Sequence, residues 1–331
     1  MRAPSVPSRR RLVQGIAATL AIPRALAQPG KGARRVGVVF ATDPQTSRRY
    51  LDALAKGLEE HGRRRDRDYA FEVRHAEGRP ERYPALVREL LDARAEVIVV
   101  GANSSVLAAK SVTSAVPIVM AGALAPDATG LVASLAYPGG NVTGVANMSS
   151  SVTAKRLQLL RELLPGASRI AYLTNPAIPG WDRTTKAVED AGATMGLRIS
   201  TAHASTPEEI ERVLSSATSV RPDALLVGNA VLFWMHRKRI IELCSQHRIP
   251  ASHAYVEAVR EGALTGYAPS LDDIWRMAGT FVARILGGAK PADLPVEQPT
   301  RYELLVNLRA AQEYGHQVPA AFLVRADRVV R

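Results

Sequence analysis

Short apolar runs alternate along this chain with segments in which leucine recurs every three or four residues. Continuous apolar runs are typical of strands buried on both faces of a parallel sheet. The leucine spacing is that of one helix face, as at 51–58 and 86–91. The strands predicted in the first half are residues 35–40, 69–75, 96–100 and 116–120. The pattern therefore predicts a series of β-α units around a mostly parallel sheet.

The same order of elements returns in the second half of the chain. The strand-like segments 169–174, 223–229 and 249–255 correspond in order to 35–40, 96–103 and 116–121. A helix start is marked by Thr206, which is followed by proline and two glutamates in a capping box. We infer an α/β fold of two similar, doubly wound, Rossmann-like lobes joined by a hinge.

The stretch 121–147 (AGALAPDATGLVASLAYPGGNVTGVAN) separates the two halves and is the predicted crossing between the lobes. A proline, two glycines and an asparagine at 138–141 form a turn cluster, because proline fixes φ whereas glycine and asparagine tolerate positive φ. A return crossing is predicted at 264–270, so Asn147 and Ser270 are the predicted hinge residues. An ordinary surface loop at 121–147 is the alternative interpretation.

The predicted first lobe comprises residues 34–146 plus about 269–300, and the second comprises 147–268, with 301–331 as a further candidate part. The pattern of this tail does not assign it to either lobe. A chain of 331 residues can hold roughly two domains, each with its own core. The composition, 47% hydrophobic and 22% charged, is typical of a globular protein.

The N-terminus has the pattern of an export signal. Arginines at 9–11 precede an apolar run at 15–22, and 25–27 (ALA) is a small-x-small cleavage site. The arginine pair favours the twin-arginine route. The run is shorter than the about 18 residues that span a bilayer, which makes a retained anchor the less favoured alternative. We therefore predict a twin-arginine-type signal peptide at 1–27, cleavage near Ala27 and a periplasmic location.

The charge pattern gives no indication of nucleic-acid binding. Loss of residues 1–27 lowers the formal net charge from +12 to +7, because five arginines lie there. The remaining basic cluster at 63–67 has no interleaved aromatic residue for base stacking, so a solvated loop is favoured. The single cysteine, Cys244, cannot form an intramolecular disulfide, and its helical spacing favours a buried apolar role.

Signatures of enzymes and metal sites are absent from the sequence. The chain has no G-x-S-x-G elbow, no G-x-x-x-x-G-K-[ST] phosphate loop and no G-x-G-x-x-G after a strand. Its seven histidines show no metal-ligand spacing. We therefore predict no catalytic residue, no metal and no cofactor, with an enzyme of unidentified mechanism as the less favoured alternative.

Polar and aromatic residues follow the predicted strands, at the edge where doubly wound sheets bind ligands. The candidate ligand-binding residues are Thr42, Asn103, Ser104, Ser105 and Leu124 in the first lobe and Asn175, Trp181, Asn229, Tyr255 and Tyr267 in the second. Each has a structural alternative. Serine is favoured as a helix cap, asparagine as a turn former with positive φ, and aromatic residues in the core or at its rim.

Four segments carry a resemblance to a known family: 75–91 (HAEGRPERYPALVRELL), 130–147 (GLVASLAYPGGNVTGVAN), 154–176 (AKRLQLLRELLPGASRIAYLTNP) and 292–315 (ADLPVEQPTRYELLVNLRAAQEYG). They resemble the ABC transporter substrate-binding protein family, nearly throughout the chain after the predicted signal. The resemblance implies a type I periplasmic-binding fold, in which two lobes close on a small molecule. It also implies delivery of that molecule to an ABC permease in the inner membrane. Some members recognise tryptophan or phenylalanine.

The resemblance places ligand-facing loops at 103–105, 123–126, Asn147, Asn175 and Tyr255. Where the family usually has an Asp-Pro pair after the fourth strand, this chain has Ala125 before the proline, and a second such aspartate is replaced by Ala230. Both changes remove a carboxylate that could pair with an ammonium group. We therefore expect a neutral or anionic ligand with an apolar or aromatic part rather than an amino acid.

The expected partners are a small molecule and the permease, with no nucleic acid, and the protein is expected to be a monomer. A transcription repressor of the same fold is not expected, because a strand that starts at residue 36 leaves no room for a preceding helix-turn-helix. A periplasmic receptor that senses a ligand and signals to a membrane protein is the main alternative to transport.

Overall fold

Two β-sheets, each flanked by helices, form the part of the chain that the structure describes. This computed structural model describes residues 32–147, 149–178, 180–216 and 221–331. The predicted signal peptide at 1–27 lies outside the described residues. Within the described ranges, no helix has both the length and the apolar character needed to cross a membrane.

The first sheet has five parallel strands. They are β1 (Arg34–Phe40), β2 (Tyr69–His75), β3 (Val97–Val100), β4 (Ile118–Leu124) and β5 (Val142–Asn147). Helices α1 (Pro44–Glu59), α2 (Tyr83–Asp92) and α3 (Asn103–Val112) connect the first four strands. The order across the sheet is β2-β1-β3-β4-β5. All four residues of β3 are buried, as expected for a central strand in a sheet covered by helices on both faces.

The second sheet has seven strands. They are β6 (Arg169–Thr174), β7 (Arg198–His203), β8 (Ala224–Val227), β9 (Ala251–His253), β10 (Thr265–Ala268), β11 (Glu303–Asn307) and β12 (Arg328–Val330), in the order β12-β11-β10-β9-β8-β6-β7. Its helices are α4 (Ser149–Leu163), α5 (Trp181–Thr194), α6 (Pro207–Ser216), α7 (Val231–Met235), α8 (Arg237–Gln246) and α9 (Glu257–Arg260). The β10 and β11 strands pair antiparallel, whereas the other described pairs are parallel.

Helix α10 (Leu271–Leu286) returns the chain to the first sheet, and helices α11 (Leu308–Glu313) and α12 (Ala320–Arg325) follow near the C-terminus. Helix α10 packs on α1 through glycines in both helices. A Cβ at Gly57 would lie 1.9 Å from the carbonyl oxygen of Arg276, and one at Gly279 would lie 2.3 Å from that of Leu54. The two backbones therefore approach too closely for any side chain at either position.

The units around the two sheets are called lobe 1 and lobe 2 below. Lobe 1 contains the first sheet and residues 271–297, because α10 packs there and Glu297 bridges to Val145 in β5. Lobe 2 contains the second sheet, including β11 and β12 from the C-terminal tail. The prediction of two doubly wound α/β lobes is confirmed.

The stretch 121–147 differs from the predicted connector at both ends. Strand β4 starts two residues later than predicted, at Ile118, and it continues through Leu124 because it pairs with β5 across a bulge between Ala121 and Ala123. Residues 142–147 are the last strand of lobe 1. The chain therefore crosses to lobe 2 only after Asn147.

Gly144 is a position where the fold requires glycine. Its φ is +126°, and a Cβ would lie 2.4 Å from the carbonyl oxygen of Met120 in β4. We expect Gly144→Ala to lower the free energy of unfolding by roughly 2–4 kcal/mol, because backbone strain adds to a backbone clash. The control is Gly140→Ala, whose Cβ would have no neighbour within 4 Å. Urea denaturation followed by circular dichroism compares the two, and equal midpoints would contradict the role given to Gly144.

Candidate ligand-binding site

A cleft of about 150 Å³ lies between the lobes, at the carboxyl ends of their strands. Strand β4 of lobe 1 ends at Leu124, and β6 and β8 of lobe 2 lead to Asn175 and Asn229. All three residues line the cleft. The other lining residues are Ala125, Ala128 and Thr129 from lobe 1 and Tyr172, Thr174, Ile178, Gly180, Trp181, Arg183, Thr184, Gly228 and Phe233 from lobe 2. This is the position at which open α/β sheets bind ligands.

The walls of the cleft are largely apolar and aromatic. Phe233 is buried, and the ring of Trp181 is held edge-on by His203, with 5.3 Å between the ring centroids. Among the described residues that line the cleft, Arg183 is the one charged side chain, and no carboxylate is present. Such a surface suits an apolar or aromatic ligand that carries few polar groups.

Asn175 shapes the loop after β6 and lines the cleft at the same time. Its Oδ1 accepts hydrogen bonds from the amide of Ala177 (2.9 Å) and from the hydroxyl of Ser205 (3.2 Å). The side-chain oxygen is thus engaged within lobe 2. Asn175 therefore shapes the turn through its side chain, although its φ is not positive as the turn-forming alternative supposed.

Asn229 is held in place by Tyr255. The Tyr255 hydroxyl donates a 2.6 Å hydrogen bond to Asn229 Oδ1. Burial, and then the nearby charge of Glu257, raise the pKa of Tyr255 above its ordinary value, so the hydroxyl keeps its proton and stays a donor. Tyr255 does not belong to the cleft lining that the structure describes. It acts as a positioning residue for Asn229.

Asn103 and Ser105, both predicted to face the ligand, are committed to the backbone of lobe 1. Asn103 Nδ2 donates to the carbonyl oxygen of Leu124 (2.8 Å), and its Oδ1 accepts from the amide of the same residue (2.6 Å). The Ser105 hydroxyl bonds to both the amide and the carbonyl of Ala102 at the start of α3. Neither lines the described cleft. Asn103 therefore shapes the cleft indirectly, by fixing the end of β4.

Ser104, Thr42 and Tyr267 also lie outside the described cleft lining. Ser104 is exposed, and Thr42 is buried next to the start of α1. Tyr267 stacks on Tyr302, with 5.4 Å between the ring centroids, and packs against an apolar cluster of lobe 2. Thr42 follows β1 as predicted, whereas Tyr267 lies within β10.

A second, smaller cavity of about 10 Å³ lies where the chain crosses between the lobes, and it is called the hinge cavity below. It is lined by Asn147, Val152, Thr153, Arg156, Asn229, Ala254, Ala268 and Pro269. Asn147 ends β5, and Pro269 precedes Ser270, the residue before α10. Two of the crossings between the lobes therefore meet at this cavity, and Asn229 lines it as well as the cleft.

Arg156 in the hinge cavity was not among the residues predicted from the sequence. It is only 1% exposed, and its Nη1 donates a 2.7 Å hydrogen bond to the carbonyl oxygen of Val227 at the end of β8. The sequence contains one signal for it. Arg156 precedes Leu160 and Leu163 by four and seven residues, and this spacing places it on the buried face of α4.

The lobes touch each other through an aromatic contact beside the cleft. Trp234 of lobe 2 is buried in the same apolar cluster as Phe40, Tyr50 and Trp275 of lobe 1. Its other face is covered by Arg237, whose guanidinium carbon lies 3.9 Å from the ring centroid. A buried tryptophan that crosses between lobes makes a large contribution to their contact.

Two arginines also bridge the lobes. Arg49 in lobe 1 makes two hydrogen bonds to Asp272 (2.7 and 2.9 Å) and lies 3.4 Å from the buried Glu257 of lobe 2. Burial raises the pKa of Glu257, whereas the charge of Arg49 acts in the opposite direction. Arg183 of lobe 2 donates a 2.9 Å hydrogen bond to the carbonyl oxygen of Ala128 in lobe 1. The structure therefore has its lobes closed on one another.

The described residues offer no candidate for a metal centre or a reactive thiol. No group of three or more His, Cys, Asp or Glu side chains in these ranges could hold a metal ion. Cys244 is buried, and burial raises the pKa of its thiol to about 12, so the thiol stays protonated.

Comparison with known proteins places the chain in a family. Residues 35–330 match the ABC transporter substrate-binding protein family. A relative named tyrosine-binding protein, from Clostridioides difficile (strain R20291), is 22% identical over 277 residues, which is 84% of this chain and 79% of that protein.

Two solved structures share the fold. One is an ABC domain in complex with L-Trp from Streptococcus pneumonia, with a TM-score of 0.84, 23% identity and coverage of 90% of this chain and 100% of that one. The other is a ligand-free, open substrate-binding protein with adhesive properties from Clostridium difficile, with a TM-score of 0.69, 21% identity and coverage of 90% and 99%.

The resemblance found in the sequence is thus confirmed by a match that spans most of the chain, and the two-lobed architecture is that of type I periplasmic-binding proteins. The chain belongs to the ABC transporter substrate-binding protein family.

Proposed function

We propose that this protein is a periplasmic receptor that captures a small molecule between its lobes and delivers it to an ABC permease of the inner membrane. The observation that carries the proposal is the cleft, whose walls come from strand ends of both lobes. Membership of the family supports the permease as partner. The export pattern at residues 1–27 supports the periplasmic location and the twin-arginine route. The receptor acts as a monomer and releases its ligand unchanged.

The ligand of this proposal is a neutral or anionic small molecule with an apolar or aromatic part. Two of the compared proteins have aromatic amino acids in their names or descriptions, tyrosine in one and L-Trp in the other. Trp181 and Phe233 give this cleft aromatic walls as well. However, Ala125 and Ala230 stand where the family usually has aspartates, and no carboxylate lines the described cleft to pair with an ammonium group.

Closure occurs about the crossings between the lobes, with Asn147 and Ser270 as the hinge residues. Opening the cleft would withdraw Trp234 from lobe 1, and it would separate Arg49 from Glu257. These contacts give the closed state part of its stability before any ligand is bound. A bound ligand then adds contacts to both walls, and the population shifts further toward closure.

The proposed function is tested with the mature protein purified under mild conditions. Mass spectrometry of the small molecules released on denaturation is expected to identify a bound compound. That compound, added back to ligand-free protein, is expected to lower the radius of gyration measured by small-angle scattering and to be recovered unchanged. Conversion of the compound into a product would contradict a binding function. Equal dimensions with and without bound ligand would contradict hinge closure.

Ala125 offers a test of ligand charge. Its φ is +41°, a conformation that costs alanine more than aspartate or asparagine. We expect Ala125→Asp to raise the affinity for L-phenylalanine relative to 3-phenylpropionate by at least about tenfold, because the new carboxylate favours an ammonium group and repels an anion. Titration calorimetry measures both ligands. Ala136→Asp, at an exposed position outside the cleft lining, is the control, and equal shifts in the two variants would contradict the expectation.

The ion pair between Arg49 and Glu257 offers a test of the closed state. We expect Arg49→Met to weaken ligand binding about 3- to 10-fold and to raise the radius of gyration of the ligand-free protein. The ion pair with Glu257 exists only when the lobes are closed, so its loss destabilises the closed state and leaves the open state unchanged. The control is Arg48→Met, which changes the exposed neighbouring arginine on the same helix. Titration calorimetry and small-angle scattering measure the two effects. Unchanged affinity and dimensions in Arg49→Met would contradict the bridging role.

A further inference from the structure

Arg156 is a buried cation without a counter-ion among the described residues. Its side chain is 1% exposed, and its Nη1 donates to the carbonyl oxygen of Val227. Its Nη2 is buried and has no hydrogen-bond partner among the described residues. No carboxylate forms an ion pair with it in the described part of the chain. A charge buried in this way is costly unless something pairs with it.

The cation keeps its charge despite this burial. Burial lowers the pKa of Arg156 to about 10, which leaves the guanidinium protonated at neutral pH. The neighbouring His253 is also buried. Burial, and then the charge of Arg156, lower its pKa to about 3, so the imidazole is neutral and supplies no compensating charge. Neither Arg156 nor His253 therefore has a carboxylate partner among the described ion pairs.

Arg156 is connected to the ligand cleft through a shared lining residue. Arg156 lines the hinge cavity, and Asn229 lines both that cavity and the cleft. Across the described lining of both spaces the charged residues are Arg156 and Arg183, and no aspartate or glutamate is present. The electrostatic environment therefore favours an anionic group at the end of the cleft that is nearest the hinge.

The size of the hinge cavity limits what can enter it. Its volume of about 10 Å³ is close to that of a single water site, so it suits one oxygen atom of a larger ligand rather than a whole molecule. The body of the ligand would stay in the cleft, against the aromatic walls of Trp181 and Phe233. A planar guanidinium with a free N–H group is well suited to a carboxylate oxygen.

We propose that Arg156 is the anion-binding residue of the site, and that the ligand is a small carboxylate with an aromatic or apolar body. The carboxylate extends past Asn229 into the hinge cavity, where one oxygen accepts a hydrogen bond from Arg156 Nη2. This assignment rests on the proposed function, since it names the ligand class of the same cleft. It also places the ligand charge between Asn147 and Pro269, at two of the crossings between the lobes.

The test uses three probes with one aromatic body: 3-phenylpropionate, its neutral amide 3-phenylpropionamide, and L-phenylalanine. Titration calorimetry with the wild-type mature chain is expected to show the acid binding at least about 30-fold more tightly than the amide, because the amide leaves the cation unpaired. This comparison needs no variant. L-Phenylalanine is expected to bind more weakly than the acid, because no carboxylate lines the site to receive its ammonium group.

Variants then assign the preference to one residue. Arg156→Met is expected to abolish the preference for acid over amide, and Arg156→Lys to retain part of it. Arg161→Met is the matched control on the same helix, because Arg161 donates to carbonyl oxygens near the end of α4 and not to the cleft. Arg183→Met tests the other arginine and is expected to lower the preference less than Arg156→Met does. Circular dichroism and thermal midpoints confirm that each variant is folded.

Several results would overturn the inference. They are equal binding of acid and amide, tighter binding of L-phenylalanine than of the acid, and a preference that survives Arg156→Met or is lost in Arg183→Met. Failure of every carboxylate probe to bind would also overturn the assigned ligand class. In each case the compound recovered from the purified protein, if it still drives compaction, would leave the receptor function in place. The two proposals therefore fail separately.

Discussion

The packing of α10 on α1 is the contact on which the arrangement of the cleft depends. Gly57 and Gly279 let the two backbones meet, and a side chain at either position would force them apart. Helix α10 follows lobe 2 in the sequence but is fixed to lobe 1, and strands β11 and β12 return to lobe 2, so the chain crosses between the lobes three times. Asn147, at the first crossing, and Pro269, at the second, lie together at the hinge cavity.

The two-lobed fold could be predicted from the sequence because its signals are local. Buried strands, leucine-striped helices and capping residues repeat in the same order in both halves, and each signal spans only about ten residues. The bounds of β4 were harder to predict from the sequence, since its extension through Leu124 depends on pairing with β5 across a bulge. The position of β11 also depends on a distant partner, because it pairs antiparallel with β10. Local pattern does not encode such pairings.

The candidate site was predictable in position more than in its individual side chains. Strand ends indicated Leu124, Asn175, Trp181 and Asn229, which the structure places in the wall of the cleft. The same rule also selected Asn103, whose amide group is fully used in holding the end of β4. The side chain of a polar residue after a strand can hydrogen-bond either to a ligand or to the protein backbone. Which of the two it does depends on the position of a neighbouring strand. Arg156 was not selected from the sequence because an arginine in a helix usually indicates a face exposed to solvent, whereas this one is buried.

Burial of Arg156 links the ligand to the motion of the lobes. The cation lies beside two of the crossings and has no counter-ion among the described residues, so its burial stays costly until an anion pairs with it. The contacts of Trp234 and the ion pair of Arg49 with Glu257 act in the opposite direction and favour closure. A balance of this kind keeps the empty receptor from closing too firmly. A ligand with an anionic end pairs with Arg156 and so removes the free-energy cost of its buried charge. Closure is then favoured by the contacts already present in the protein.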